Sequence, residues 1–291
     1  MLHHRAILPV VRAGSPTLGE MPGDPQLHRV EPGTVVDLST LDAAGTTCAP
    51  GNKATTKAAT AALAERLAEL QAMLWASRQE RLLVVLQGID TAGKGGTVEH
   101  VLGAVNPAGL RVVSFKAPSP SELARDYLWR IHAHVPESGV IGVFDRSHYE
   151  DVLVARVEHL VPEERWRRRF DHIVAFEKLL VDEGTTVVKV FLHISKEEQR
   201  ERLQARIDTP HKRWKFRLGD LDTRAKWDDH QQAFADAISR TSSVHAPWHV
   251  VPANRKWYRN WAVATILVGV LEQLDLRWPE PEPGIADVVV E

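Results

Sequence analysis

Residues Leu82–Thr97 read LLVVLQGIDTAGKGGT. The apolar run is long enough for one buried strand, and it empties into Gly88-x-x-x-x-Gly93-Lys94. Thr97–Leu102 then reads as the start of a helix. A glycine loop between a strand and a helix can curl its backbone N–H groups around phosphate oxygens. The helix N-terminus adds a partial positive charge and the lysine a full one. Gly88, Gly93, Lys94, Gly95, Gly96 and Thr97 are therefore candidate phosphate ligands. The residue after the lysine is Gly95, where a Ser or Thr hydroxyl usually holds Mg²⁺, and an acid, Asp90, stands inside the loop.

A second acid follows a second apolar run. Val140–Phe144 ends in Asp145-Arg146-Ser147. The carboxyl end of a strand beside a phosphate loop is where P-loop enzymes keep a carboxylate for Mg²⁺, although Asp also caps helices well. A loop without its hydroxyl ligand must take metal oxygens from elsewhere, and Asp90 and Asp145 are placed to supply them. Arg146 would aim a planar donor fork at phosphate oxygens.

The rest of the chain frames these loops. Further strands are expected at Arg111–Phe115, Val187–Ile194 and His249–Val251. Leu63, Leu67, Leu70 and Leu74 fall at helical spacing. Helices are also expected over Trp166–Val181, Asp220–Ile238 and Tyr258–Leu274, and capping boxes start at Ser119 and Ser195. Strands alternating with helices argue for an α/β fold with a parallel sheet covered on both faces. Residues 1–53 read as an irregular N-terminal arm and 54–278 as one domain. The segment 279–291 reads as a mobile, acidic, proline-rich tail.

Composition excludes several classes. With 36 Lys+Arg against 38 Asp+Glu, the net charge of -2 does not suit a general nucleic-acid binder. The one cysteine, Cys48, allows no internal disulfide and suits a reducing cytoplasm. The N-terminus lacks the apolar run of a signal peptide. The longest uncharged apolar run, Trp261–Leu271, is too short to span a bilayer and reads as a buried helix. One local excess stands out. Between Arg200 and Arg217 seven basic residues face only Glu201 and Asp208, with Trp214 and Phe216 interleaved. Such runs are usually solvated, but nucleotide kinases carry a mobile lid at this place in the chain order. A basic lid stabilises a transferring phosphoryl group and excludes water. The second cluster, Arg165 and Arg167–Arg169, takes no assigned role, and His148 and Tyr149 read as packing.

GIDTAGKGGT, NPAGLRVVSFKAPS, FDRSHYEDVLVARV, TPHKRWKF and HAPWHVVPANRKWYRNWAVATILV, in that order, resemble the polyphosphate kinase 2 family from about Val30 to Pro279. The resemblance implies a P-loop kinase fold, a three-layer α/β/α arrangement with a helical lid at about 198–220. It also implies Mg²⁺-dependent phosphoryl transfer between inorganic polyphosphate and AMP, ADP or ATP, with Mn²⁺ and guanine nucleotides as further options and a homodimer or homotetramer as the assembly. By matching position, Asp90 and Asp145 would hold the metal, Lys94 and Arg146 the phosphates, and Arg202, Arg206, Lys212 and Lys215 would belong to the lid. Arg217 departs from the small polar residue expected after Trp-Lys-Phe. The rival readings are an ATP-dependent kinase of a nucleoside monophosphate or small metabolite, and a non-catalytic nucleotide-binding module.

Overall fold

The structure, a computed structural model, describes residues 23–285 and 288–290. Its first half contains β1 (Arg29–Val30), α1 (Lys53–Ser77), β2 (Arg81–Gln87), α2 (Lys94–Val101), β3 (Leu110–Ser114), α3 (Pro120–Leu123), α4 (Trp129–His132) and β4 (Ile141–Asp145). Its second half contains α5 (Val154–Val157), α6 (Glu163–Asp182), β5 (Thr185–His193), α7 (Lys196–Asp208), α8 (Gly219–Ala225), α9 (Trp227–Thr241), β6 (Trp248–Pro252) and α10 (Lys256–Glu272). The six strands lie in the order β1-β6-β5-β2-β4-β3. All neighbours run parallel except β1, which joins β6 antiparallel. Helices α1, α2 and α10 pack on one another, as do α5, α6 and α9, which gives the three layers the alternating pattern predicts.

Burial explains the order. β2, at the centre, is buried from Leu82 to Gln87, so it reads as a continuous apolar run and not as an alternating one. Leu63, Leu67, Leu70 and Leu74 are buried along one stripe of α1, each contributing about 1.5–3 kcal/mol of apolar burial. Asn52 begins that helix by accepting from the N–H groups of Ala54 and Thr55. The apolar run Trp261–Leu271 lies wholly buried within α10, as expected. No helix among the described residues is long and apolar enough to cross a membrane.

Several expectations change in detail. The arm is only partly irregular. Arg29–Val30 extends the sheet, and residues 23–25 cross α10 where Gly269 has no side chain: a Cβ there would meet Pro25 Cδ at 2.6 Å. Residues 1–22 of the expected arm, and 286, 287 and 291 of the expected tail, lie outside the described residues. α2 begins at Lys94, three residues before the expected start, because Gly93 (φ 108°) turns the chain and accepts the first helical bond from Thr97 N–H. The expected helix Asp220–Ile238 is two helices, broken at Lys226, with buried Trp227 opening the second. Ser119 forms the full capping box with Glu122, but Ser195 forms half of one. Its backbone N–H donates to Asn254 instead, while Glu198 turns to Arg202.

Two histidines tie the arm to the domain. His28 hydrogen-bonds Tyr258 at 2.7 Å and His249 bonds the Leu27 carbonyl at 2.8 Å. Burial pulls both imidazoles down from 6.5 to about 4, with His249 also disfavouring charge on His28. They stay neutral in the folded chain while the unfolded chain takes up protons from about pH 6.5. Their contribution is therefore complete above pH 6.5 and is lost as pH falls from 6.5 through 4. The melting temperature is expected to fall across that window, and less steeply in a His28→Gln/His249→Gln variant. Parallel curves for variant and parent would assign the acid sensitivity to other groups.

Candidate active site

Strand register assembles the site. Leu86 of β2 pairs with Asp145 of β4, and Asp145 pairs in turn with Ser114 of β3. The phosphate loop and the second acid therefore leave the sheet at one level, at the carboxyl ends of neighbouring strands. Arg146 follows with φ 63°, a left-handed conformation that costs a non-glycine residue about 1–2 kcal/mol. Its backbone N–H donates to the Leu86 carbonyl, and its guanidinium meets Asp90 at 2.6 Å.

The loop itself is held from inside. Lys94 is buried, with Nζ donating to the Gly88 carbonyl at 2.8 Å across the mouth of the loop. Burial and the nearby Arg146 lower its ammonium, while Asp145, Asp90 and Glu150 oppose that shift. Burial pushes the Asp90 carboxyl up, but Lys94, Arg146 and Arg206 outweigh it, so Asp90 lies below its ordinary range and is ionised at neutral pH. Glu150 differs. Buried more deeply than Asp90, its carboxyl is raised, because the attraction of Arg146 and Lys94 falls short of the cost of desolvation.

These groups line a cleft of about 730 Å³ in which six basic side chains face four carboxylates. Asp90, Gly93, Lys94, Gly95, Gly96, Asp145, Arg146, Arg206 and Lys215 are all in its wall. Arg217 is there too. A second pocket of about 360 Å³, lined by Gly88, Ile89, Glu150, Leu153, His230 and Phe234, opens beside it. The two share Asp90, Arg146, Gly219 and Thr223.

Three expected ligands are placed otherwise. Thr97 spends its hydroxyl on the Gly93 carbonyl at 3.1 Å and does not reach the cleft wall. Arg202 is a strut: its guanidinium donates to the carbonyls of Thr91, Ala92, Ala253 and Asn254 and to the Glu198 carboxylate. With those donors engaged it fixes the back of the loop. Lys212 is exposed on the 3-10 turn Pro210–Lys215, off the cleft wall, and Trp214 beside it is 76% exposed. His148 and Tyr149 are fully buried, in keeping with a packing role.

Sequence reasoning passed over Arg259. It sits at 3% exposure inside the buried part of α10, donating to Asn260 at 2.7 Å. A Cβ on Gly93 would stand 1.9 Å from its Nη1. Burial and Arg202 pull it down to about 10, still protonated at neutral pH, so it places a positive charge directly behind the loop. An arginine inside an otherwise buried run was the signal available.

The acids also fit a divalent cation. Asp145 Oδ2 accepts from Ser114 Oγ at 3.3 Å, while its Oδ1 is buried without a hydrogen-bond partner. The described residues contain no group of three or more His, Cys, Asp or Glu suited to a metal. One or two carboxylates completed by phosphate oxygens is the usual way to hold Mg²⁺.

Glycine substitutions separate the two halves of the loop. Gly93→Ala combines φ 108° with the Arg259 contact and is expected to lower the melting temperature and cut turnover about a hundredfold. A Cβ on Gly95 meets nothing within 4 Å, and Gly95→Ala is expected to add about 0.5–1 kcal/mol of stability as a helical residue. Thermal melts of both variants check the contrast.

Comparison with known proteins identifies the family. The model of the family Polyphosphate kinase 2 (PPK2) matches residues 51–278. An AMP/ADP-polyphosphate phosphotransferase of Meiothermus ruber is 52% identical over 264 residues, 91% of this chain and 99% of that protein. An ADP-polyphosphate phosphotransferase of Rhodopseudomonas palustris is 43% identical over 232 residues, 76% of this chain and 80% of its own. The crystal structure of polyphosphate kinase 2 from Arthrobacter aurescens superposes with a TM-score of 0.86 at 48% identity, covering 89% of this chain and 93% of that one. A P-loop kinase core, a carboxylate pair beside its loop and a match across most of the chain point the same way: the chain belongs to the polyphosphate kinase 2 family.

Proposed function

We infer that this enzyme transfers phosphoryl groups between inorganic polyphosphate and adenine nucleotides, AMP and ADP, with Mg²⁺ as its metal and Mn²⁺ as a substitute. The observation that carries the reading is the junction of two pockets at Asp90 and Arg146, one lined by six basic side chains and the other partly apolar. A phosphoryl donor and a nucleotide acceptor can meet there end to end.

The acceptor phosphate is already largely deprotonated at neutral pH, so no general base is required. Its oxygen forms a bond to the terminal phosphorus while the bridging bond to the shortened chain breaks. Charge on the moving group has to be met by fixed positive groups. Lys94 lies at the loop mouth, Arg146 at the junction, and Arg206 and Lys215 in the wall of the same cleft. Asp90 and Asp145 would hold the cation, which supplies charge neutralisation on the phosphate oxygens. The lid residues would exclude water, the competing acceptor. The same reading extends to guanine nucleotides, to a homo-oligomeric working form and to the cytoplasm as its compartment.

Purified protein with Mg²⁺, long-chain polyphosphate and AMP, ADP, GMP or GDP in turn is expected to give the next higher nucleotide, seen by chromatography. No product with polyphosphate, but turnover with ATP, would overturn the choice of donor. Asp90→Asn, Asp145→Asn and Lys94→Ala are each expected to lose at least ~10²-fold in turnover. A near-parental rate in any one of them removes that residue from the mechanism.

A further inference from the structure

A fully buried network of charged and polar groups lies beneath the Asp145-Arg146 turn. Lys189 Nζ of β5 donates to Glu177 Oε2 of α6 at 2.6 Å, to Tyr149 Oη at 3.0 Å and to the Thr241 carbonyl at 2.7 Å. Tyr149 Oη lies 2.9 Å from both Glu177 Oε1 and Thr241 Oγ1. Trp248 Nε1 donates to Thr241 Oγ1 at 2.9 Å, and His148 Nε2 approaches Glu177 Oε1 at 3.3 Å. Glu177, Lys189, Tyr149 and His148 all have 0% exposure.

Such a pair is a poor way to gain stability. Removing two charges from water costs as much as their attraction returns, and apolar residues of similar volume often do as well or better. The network has another property. His148 and Tyr149 enter it from one 3-10 turn, His148–Asp151, whose opening residue is Ser147 and whose predecessor is the strained Arg146. Ser147 Oγ accepts from Tyr149 N–H at 3.2 Å, and Gln87 of β2 hydrogen-bonds the same hydroxyl. Four elements thus grip the far end of the turn while β2 grips its near end. A left-handed arginine persists only where its surroundings over-determine it.

We propose that the Glu177–Lys189 pair, acting through Tyr149 and His148, is a positioning device that fixes Arg146 for turnover. The proposal rests on the phosphoryl-transfer reading above. The parent enzyme is therefore assayed first, and a parent without polyphosphate activity refutes that reading separately.

The test compares the parent with Glu177→Leu/Lys189→Met and with Tyr149→Phe. The double variant is expected to melt within a few degrees of the parent, to keep KM for polyphosphate within about threefold, and to lose about tenfold in kcat. Tyr149→Phe, which removes only the hydroxyl joining pair to turn, is expected to lose kcat in the same direction. It also serves if the double variant does not fold. Both are then rebuilt with Arg146→Lys. If the pair works through Arg146, the kcat loss should largely vanish in that background. A parental kcat in both variants, or the same loss with and without Arg146, overturns the proposal.

Discussion

The active site depends on the parallel register between β2 and β4. Leu86 stands opposite Asp145, so the phosphate loop and the second acid begin from the same height. A shift of one residue would turn Asp145 to the other face of the sheet. The register is held by burial: β2 is covered on both faces and flanked by β4 and β5, so a slipped pairing would leave apolar side chains misplaced along the whole strand.

On that base the chain gathers like charges. Lys94, Arg146 and Arg259 lie close around the loop, and the first and last of these are buried. The structure tolerates this by two devices. Asp90, Asp145 and Glu150 are interleaved among the cations, and backbone carbonyls accept from Lys94 and Arg202. The resulting site holds its positive groups in fixed places, which is the kind of preorganisation that electrostatic catalysis requires.

The core of this was legible in the sequence because it is local. A strand, a glycine turn and a lysine are contiguous, and Asp145-Arg146 follows its own apolar run. The capping boxes show where local reading stops. Ser119 and Glu122 close on each other, whereas Ser195 bonds Asn254, a residue 59 positions away. Arg202 follows the same pattern. In sequence it is one more arginine in a basic run, and only the fold brings the carbonyls of residues 91, 92, 253 and 254 around it. Thr97 looked like a ligand because the motif ends near it, yet helix formation one turn earlier claims its hydroxyl. The split between α8 and α9 is also tertiary: charges on both sides of the break, from Asp220 to Asp229, hide the point where Trp227 enters the core.

The segment between β5 and α9 has a consequence for how such an enzyme can change. Residues 196–226 leave the domain at the end of β5 and return at Trp227, and Arg224 donates to the Lys196 carbonyl, fastening exit to entry. None of the six strands lies within that stretch. The segment is therefore a cassette: its length can change without disturbing a sheet contact, provided the strut at Arg202, the clasp at Arg224 and the cleft residues Arg206 and Lys215 are kept.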